Sequence, residues 1–329
     1  MDNQINRILV IRLSSLGDII LTTPVIRSLK KRYPAAAIDF LIRVEYSDVV
    51  KHNPNINSLH VFQRNSIEKE FREIIRQKNY DLILDLQNNL RSRRVTAGFK
   101  GDIYRFKKPS FKKFLLVNFK INKLIPPVSI TQRYADSFPG LQLDDAGAEI
   151  FYHKQDQLEL SGNENYIGIC PGSRHFTKKW PEEYFIKLCR KLISENYKPL
   201  LFGGADDVEQ CKRIVNEVSG AANFSNNDEI LQTVSDMKKC KVVICNDSGM
   251  MHAAAAVSVP VIAIFGSTVK EFGFTPYKVT NLILENNLVS CRPCSHTGKE
   301  DCPQKHFRCM QDITPAQVFD QFKGFINTL

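Results

Sequence analysis

The stretch from Cys240 to Gly266, CKVVICNDSGMMHAAAAVSVPVIAIFG, admits few folds. Val242, Val243 and Ile244 form an apolar β-branched run, the signature of a strand buried on both faces of a parallel sheet. The run stops at Asn246-Asp247-Ser248-Gly249, residue types that turn a chain and cap a helix. Met250 to Ala256 then opens a helix of small residues that can lie close to a sheet. Pro260 starts a second apolar strand, Val261–Phe265, closed by Gly266. The result is a β–α–β unit with an Asp-Ser-Gly turn at the carboxyl end of its first strand.

That position carries chemistry. In open parallel sheets ligands bind outside the carboxyl ends of the strands. The helix that follows offers unpaired N–H groups and a positive dipole end, which suit a phosphate. Asp247, the Ser248 hydroxyl, Gly249 and His252 in the first helical turn are the candidate ligand-binding residues. In the plainer reading Asp247 only caps the helix and Gly249 only permits the turn.

The same alternation runs through most of the 329 residues. Arg7–Leu13 (RILVIRL) reads as a buried strand, Ser14–Asp18 as a loop, and Ile19–Tyr33 as a helix ended by Pro34. Strands are expected at Ala37–Arg43, Leu59–Phe62 and Asp81–Leu86, with a helix over Ser66–Lys78. From Asp144 to Asn165 the composition turns polar and acidic, as in an interdomain linker. Strands at Tyr166–Cys170 and Pro199–Phe202 follow, with helices over Glu182–Glu195, up to Val218, and Pro315–Asn327. This predicts two α/β domains, 1–160 and 161–329, each with a parallel sheet.

Charge is concentrated. Between Arg91 and Lys123 stand eleven Lys or Arg and one acid, Asp102, an excess equal to the net +10 of the whole chain. Such a segment seeks an anionic partner: nucleic acid, a phosphorylated glycan or a membrane surface. Its FKKPSFKKFLLVNFKINK pattern interleaves Phe and Leu with Lys, which fits either a helix completing a core or a basic amphipathic surface. No run reaches the roughly 18 apolar residues of a membrane span. The N-terminus lacks a signal-peptide pattern, so a cytoplasmic protein is expected.

Four loops fall at carboxyl ends of expected strands: Ser14–Asp18, Pro171–Lys179, Gly203–Asp207 and Asn246–His252. The first holds only Gly17 where a dinucleotide fingerprint needs three glycines, and no G-x-x-x-x-G-K-[ST] occurs, so hydride transfer and P-loop chemistry lose support. Ser173, Lys178 and Lys179 offer a hydroxyl and two cations of the kind a departing pyrophosphate needs. Asp207 is placed to accept from ribose hydroxyls. Asp18 is either a favourable first-turn acid or a carboxylate that takes a proton from a hydroxyl nucleophile.

The pairing of ILVIRLSSLGDIILTTPVIRSLKKRYP with NDSGMMHAAAAVSVPVIAIFGST, together with TKKWP and the Gly-Gly-Ala-Asp-Asp turn, resembles the bacterial heptosyltransferases, glycosyltransferase family 9. The resemblance spans essentially the whole chain. It implies a GT-B fold of two Rossmann-like domains facing a cleft, and inverting transfer of heptose from ADP-heptose to a lipopolysaccharide inner-core acceptor without a metal or other catalytic cofactor. Carried over by matching motifs, Asp18 is the general base and Ser173 and Lys178 contact the ADP phosphates. Asp207 takes the ribose, and Asp247, Ser248, Gly249 and His252 form the donor pocket. The family's acceptor is anionic and lipid-linked at the cytoplasmic face of the inner membrane, which implies peripheral membrane contact and no nucleic acid. Arg12, Arg91 or Arg94 would meet its charge. The rival readings are a GT-B enzyme using another nucleotide sugar and a non-catalytic basic module for nucleic acid or membrane.

Five of the nine cysteines, Cys170, Cys189, Cys211, Cys240 and Cys245, lie in strand and helix patterns and read as reduced core thiols. Cys291, Cys294, Cys302 and Cys309 are clustered at a spacing that suits a structural tetrahedral site, zinc by default or iron, with His296 and His306 as substitutes for one thiol. Four reduced thiols or two disulfides are the alternatives.

Overall fold

The computed structural model describes residues 5–63, 68–153 and 165–329. The chain divides into two compact units, one formed by residues to Pro109 with Ser129–Phe151, the other by Ser110–Val128 with Tyr152–Leu329.

The first unit runs β1 (Arg7–Ile11), α1 (Leu16–Ile20), α2 (Thr23–Arg32), β2 (Ala37–Arg43), β3 (Ser58–Phe62), α3 (Glu68–Lys78), β4 (Leu82–Asp85), α4 (Leu90–Val95) and β5 (Asp102–Arg105). After α5 (Ser110–Phe119), which packs with the second unit, α6 (Ile130–Ala135) returns to the first. Among the described residues its sheet has the order β3-β2-β1-β4-β5, with every pairing parallel. Leu9, Ile11, Leu41 and Ile83 are buried in its core.

The second unit continues with β6 (Tyr166–Cys170), α7 (Glu182–Ser194), β7 (Lys198–Leu201), α8 (Val208–Glu217), β8 (Ala222–Asn223), α9 (Ile230–Met237), β9 (Val242–Asn246), α10 (Gly249–Ala256), β10 (Val261–Phe265), β11 (Asn281–Glu285), α11 (Arg308–Gln311) and α12 (Pro315–Ile326). The strand order is β11-β10-β9-β6-β7-β8, again parallel throughout. Trp180, Phe185, Ile169, Ile244 and Ile264 fill one core under α7 and α12.

Both orders reverse direction once, between β1 and β4 and between β6 and β9. A ligand crevice forms at such a switch point because neighbouring crossover helices leave on opposite faces of the sheet there. The β–α–β unit expected over 240–266 is β9–α10–β10, and Ala253–Ala256 are buried as the small-residue pattern requires.

Several local expectations differ. The helix expected over Ile19–Tyr33 is two helices. Pro24 has no N–H to donate, and the Thr22 and Thr23 hydroxyls bond back to the Ile19 and Ile20 carbonyls, at 2.6 and 2.8 Å. The front of the acidic 144–165 segment is docked: Arg27 pairs with Asp144 at 2.7 Å and Glu149 at 2.5 Å. Residues 154–164 of that segment, and with them the expected boundary at 160/161, lie outside the described residues. The basic 91–123 segment spans α4, β5 and α5, the first two in the first unit and the last in the second. No described helix is long and apolar enough to cross a membrane.

Candidate active site

In the first unit the loops after β1 and β4 are tied together at the switch point. The Gln87 side-chain oxygen accepts from the backbone N–H of Leu13 at 2.9 Å and of Ser14 at 3.3 Å. Buried Asp85 accepts from Asn88 N–H and the Ser92 hydroxyl, both at 2.8 Å, and so shapes the second loop. Asp18 sits in the first turn of α1, its side chain 16% exposed. One carboxylate oxygen faces Arg12 Nη2 at 2.7 Å and accepts from the Tyr134 hydroxyl at 3.0 Å. The other accepts from the Ser15 hydroxyl at 2.8 Å. Burial pushes the Asp18 carboxyl up, but Arg12 and the bonds from Ser15 and Tyr134 outweigh it and hold the group below the ordinary carboxylate range. Burial likewise keeps the Tyr134 phenol protonated, so it serves as a donor.

At the second switch point, Asn246 is fully buried at the end of β9 and links three segments. Its amide oxygen accepts from Trp180 N–H at 3.0 Å, and its amide nitrogen donates to the Pro171 carbonyl at 2.7 Å. Asp247 follows, 5% exposed, gripped by Lys178 Nζ at 2.8 Å and by the Thr268 hydroxyl at 2.5 Å. Ser173 Oγ reaches the Asp247 carbonyl at 3.5 Å, the limit of a hydrogen bond. Ser248 is the N-cap of α10, yet its side chain makes no cap bond; its hydroxyl oxygen is buried without a partner, as is that of Ser267. His252 lies buried one turn into α10. A buried unpaired hydroxyl at a helix N-terminus, beside a lysine, is a place where an anion's oxygen completes the bonding.

Asp207 closes the neighbouring loop. Its carboxylate lies against Gly172, where a Cβ would stand 2.1 Å from Oδ1. The glycine is therefore what lets this acid reach the β6 loop. Burial raises the Asp207 carboxyl. A cavity of about 540 Å³ lined by Tyr33, Asp81, Asp102, Tyr104 and Phe138 opens at the amino ends of β4 and β5, the end of that sheet opposite its switch-point loops.

The sequence model of glycosyltransferase family 9 (heptosyltransferase) matches residues 69–306. The chain belongs to this family. It is 26% identical over 360 residues to lipopolysaccharide heptosyltransferase 2 of Escherichia coli K12, covering 97% of this chain and 98% of that protein. The solved family 9 glycosyltransferase of Veillonella parvula DSM 2008 superposes with a TM-score of 0.82 at 21% identity, covering 100% of this chain and 99% of that one. The E. coli ADP-heptose heptosyltransferase II structure gives 0.74 at 24%, covering 98% and 99%. The fold is GT-B and the protein is a glycosyltransferase.

Within this family 9 chain the expected donor residues Ser173, Lys178, Asp247 and Ser248 gather at one switch point, with Gly249 opening α10. Of the three expected acceptor arginines, Arg12 is 7% exposed and committed to Asp18 and to the Leu86 carbonyl at 2.6 Å. Arg12 thus serves the acid and is not displayed to an incoming anion. Arg91 and Arg94 are exposed on α4, Arg91 lying over the Phe62 ring.

Four participants were not legible: Tyr134, Asn246 as a side-chain bridge, Thr268 and Arg292. Arg292, with its side chain 4% exposed, donates to the Gly266 carbonyl at 2.5 Å and the Thr268 carbonyl at 2.9 Å, and pairs with Glu285 at 2.9 Å. It thereby holds the loop that presents Thr268 to Asp247. Lys299 N–H donates to the Thr177 hydroxyl at 2.8 Å and Thr177 N–H to the Lys299 carbonyl at 3.1 Å, so the cysteine-rich tail also braces the Lys178 loop.

The tail's expected metal site is not met. Cys291, Cys294, Cys302 and Cys309 are free thiols, and among the described residues no three His, Cys, Asp or Glu groups are gathered to hold an ion. His306 Nε2 stands 3.7 Å from Cys291 Sγ. The five core cysteines are buried free thiols as expected, with burial pushing Cys189 and Cys211 up to about 12.

The pairing at Asp18 gives a pH test. The groups facing it are Arg12, Tyr134 and Ser15, with Lys108 adding field, and Asp85 acts in turn on Arg12 and Lys108. Arg12→Met leaves burial to act without its cation, so the Asp18 carboxyl rises. The acid limb of the pH–rate profile for transfer is expected to move up by roughly 1–3 units. An unmoved limb in a variant that still folds excludes the arrangement.

Proposed function

We propose that this enzyme transfers heptose from ADP-heptose to a lipopolysaccharide inner-core acceptor with inversion at the anomeric carbon. Asp18 takes the proton of the acceptor hydroxyl as its oxygen bonds to the anomeric carbon. The bond from that carbon to the ADP oxygen breaks on the opposite side, and the ADP carries the electron pair away. Lys178, Ser173 and the N-terminus of α10 with Ser248 neutralise the departing diphosphate. Asp207 accepts from the ribose, and Asp247, Gly249 and His252 complete the donor pocket. On this reading residues 1–160 form the acceptor domain and 161–329 the donor domain, with α5 packed on the latter.

The observation that carries the reading is the unpartnered Ser248 hydroxyl at the α10 N-terminus, beside the Lys178–Asp247 pair. The family relationship adds the reaction class. We place the protein in the cytoplasm, peripheral on the inner face of the inner membrane where a lipid-linked acceptor is presented, with no role for nucleic acid. No step of the reaction runs through a metal.

A thermal-shift panel of ADP-, UDP- and GDP-sugars with a product assay tests the donor. ADP-heptose at about 100 times its Kd should stabilise the fold by about 2.7 kcal/mol. Turnover should persist in chelator. Stabilisation by a UDP- or GDP-sugar alone assigns another donor, and no response to any sugar nucleotide removes the reading.

A further inference from the structure

Helix α5 and the turn after it show an apolar face that the fold leaves uncovered. Phe111, Phe114, Phe119, Ile121 and Ile125 are 72, 52, 60, 47 and 67% exposed. Single exposed apolar residues are ordinary; five large ones within fifteen positions mark an interaction surface. Phe111 and Phe114 stand three apart, and so share one face of the helix. The Phe119 ring closes on Phe114 at 5.8 Å, edge to face.

The opposite face is anchored. Leu116 and Leu124 are buried with Phe272 in a small core of the second unit. Lys120 donates to the carbonyls of Val117, Cys291 and Pro293 at 2.8 to 2.9 Å. Lys113 lies over the rings of Phe272 and Phe274, 5.5 Å from each centroid. The exposed rings thus sit on a fixed platform rather than on a loose arm.

Charge selects the partner. From Ser110 to Val128 the sequence holds four Lys and no Asp or Glu. Lys112 lies between Phe111 and Phe114, and Lys123 between Ile121 and Ile125; both are exposed. Rings that enter an acyl boundary while ammonium groups stay at the phosphates form the interfacial mode of membrane binding.

We infer that α5 and residues 119–125 dock this enzyme on a bilayer bearing anionic headgroups, with Phe111 and Phe114 inserted and Lys112 and Lys123 on the phosphates. The surface sharpens the peripheral placement proposed above into a named element, and it needs neither donor nor acceptor to be tested.

The test is co-sedimentation of the full chain with vesicles of phosphatidylcholine, alone or mixed with phosphatidylglycerol. Binding to the mixed vesicles, weakened by salt, is expected. Phe111→Ser with Phe114→Ser should lower it about tenfold or more, and Lys112→Glu with Lys123→Glu about as much. Both pairs should leave the melting temperature and ADP binding unchanged, because the side chains are exposed. Phe111→Trp should retain binding and shift its emission to the blue on mixed vesicles. Equal binding by wild type and variants overturns the inference. So does a wild-type dimer, seen by gel filtration, that the Phe pair dissolves without any vesicle binding. Failure of heptose transfer with intact vesicle binding would remove the proposed reaction and leave the docking surface standing.

Discussion

Asp18→Asn is expected to lower the rate of transfer by about 10²- to 10⁴-fold, the range of a positioned general base, while ADP binding is kept. Asparagine keeps the size of the group, but its single oxygen can accept from Ser15 or from Tyr134 and not from both, and it cannot take a proton. The sign of the pH effect follows from the surroundings. The carboxyl is held below its ordinary value, so it is ionised at neutral pH and ready as a base. The stability its pairing contributes is present above the unfolded carboxylate pKa of about 3.9 and is lost as pH falls through the lower folded value. Loss of the charge also leaves Arg12 buried beside a neutral group, so melting must be measured with the rate. Turnover near wild type in a folded variant would remove Asp18 from the chemistry.

Arg292→Ala is expected to destabilise the protein by about 3–5 kcal/mol, because it takes the close partner from buried Glu285 and leaves it only the exposed Lys270 ammonium at 3.7 Å. The guanidinium also satisfies the carbonyls of Gly266, Thr268 and Asn286, so no single water replaces it. Arg292→Lys should recover only part of the loss, since an ammonium cannot span that fork of acceptors. Donor affinity should fall in both, through the loop that carries Thr268 to Asp247. Urea unfolding and ADP titration read the two effects; a change within about 0.5 kcal/mol, as for ordinary surface positions, would refute the strut.

The parts of the two switch-point clusters that were legible share one property: their signal is local. The Asn246–His252 turn follows an apolar run and precedes small residues, so strand, loop and helix could be read from neighbouring positions. The Ser14–Asp18 stretch was readable only in part: it reads as a loop, but Leu16 to Asp18 already form the start of α1. Tyr134 was not, because nothing near it in the sequence points to a carboxylate 116 residues away. Arg292 was hidden within a cysteine pattern that drew attention to its neighbours, although its acceptors are backbone carbonyls 24 to 27 residues upstream. Composition misled at 144–165, where acidity suggested a free linker: Asp144 and Glu149 are acidic because Arg27 sits opposite them. The β5 strand was missed since four residues reading DIYR give no alternation long enough to register.

The excursion of Ser110–Val128 into the second unit has a consequence for the molecule as a whole. The polypeptide passes between the units three times, near residues 109, 128 and 151, so no single peptide cleavage yields two autonomous halves. A fragment ending at 151 would carry Leu116 and Leu124 without their seat, and one beginning at 152 would lay Phe272 open to water.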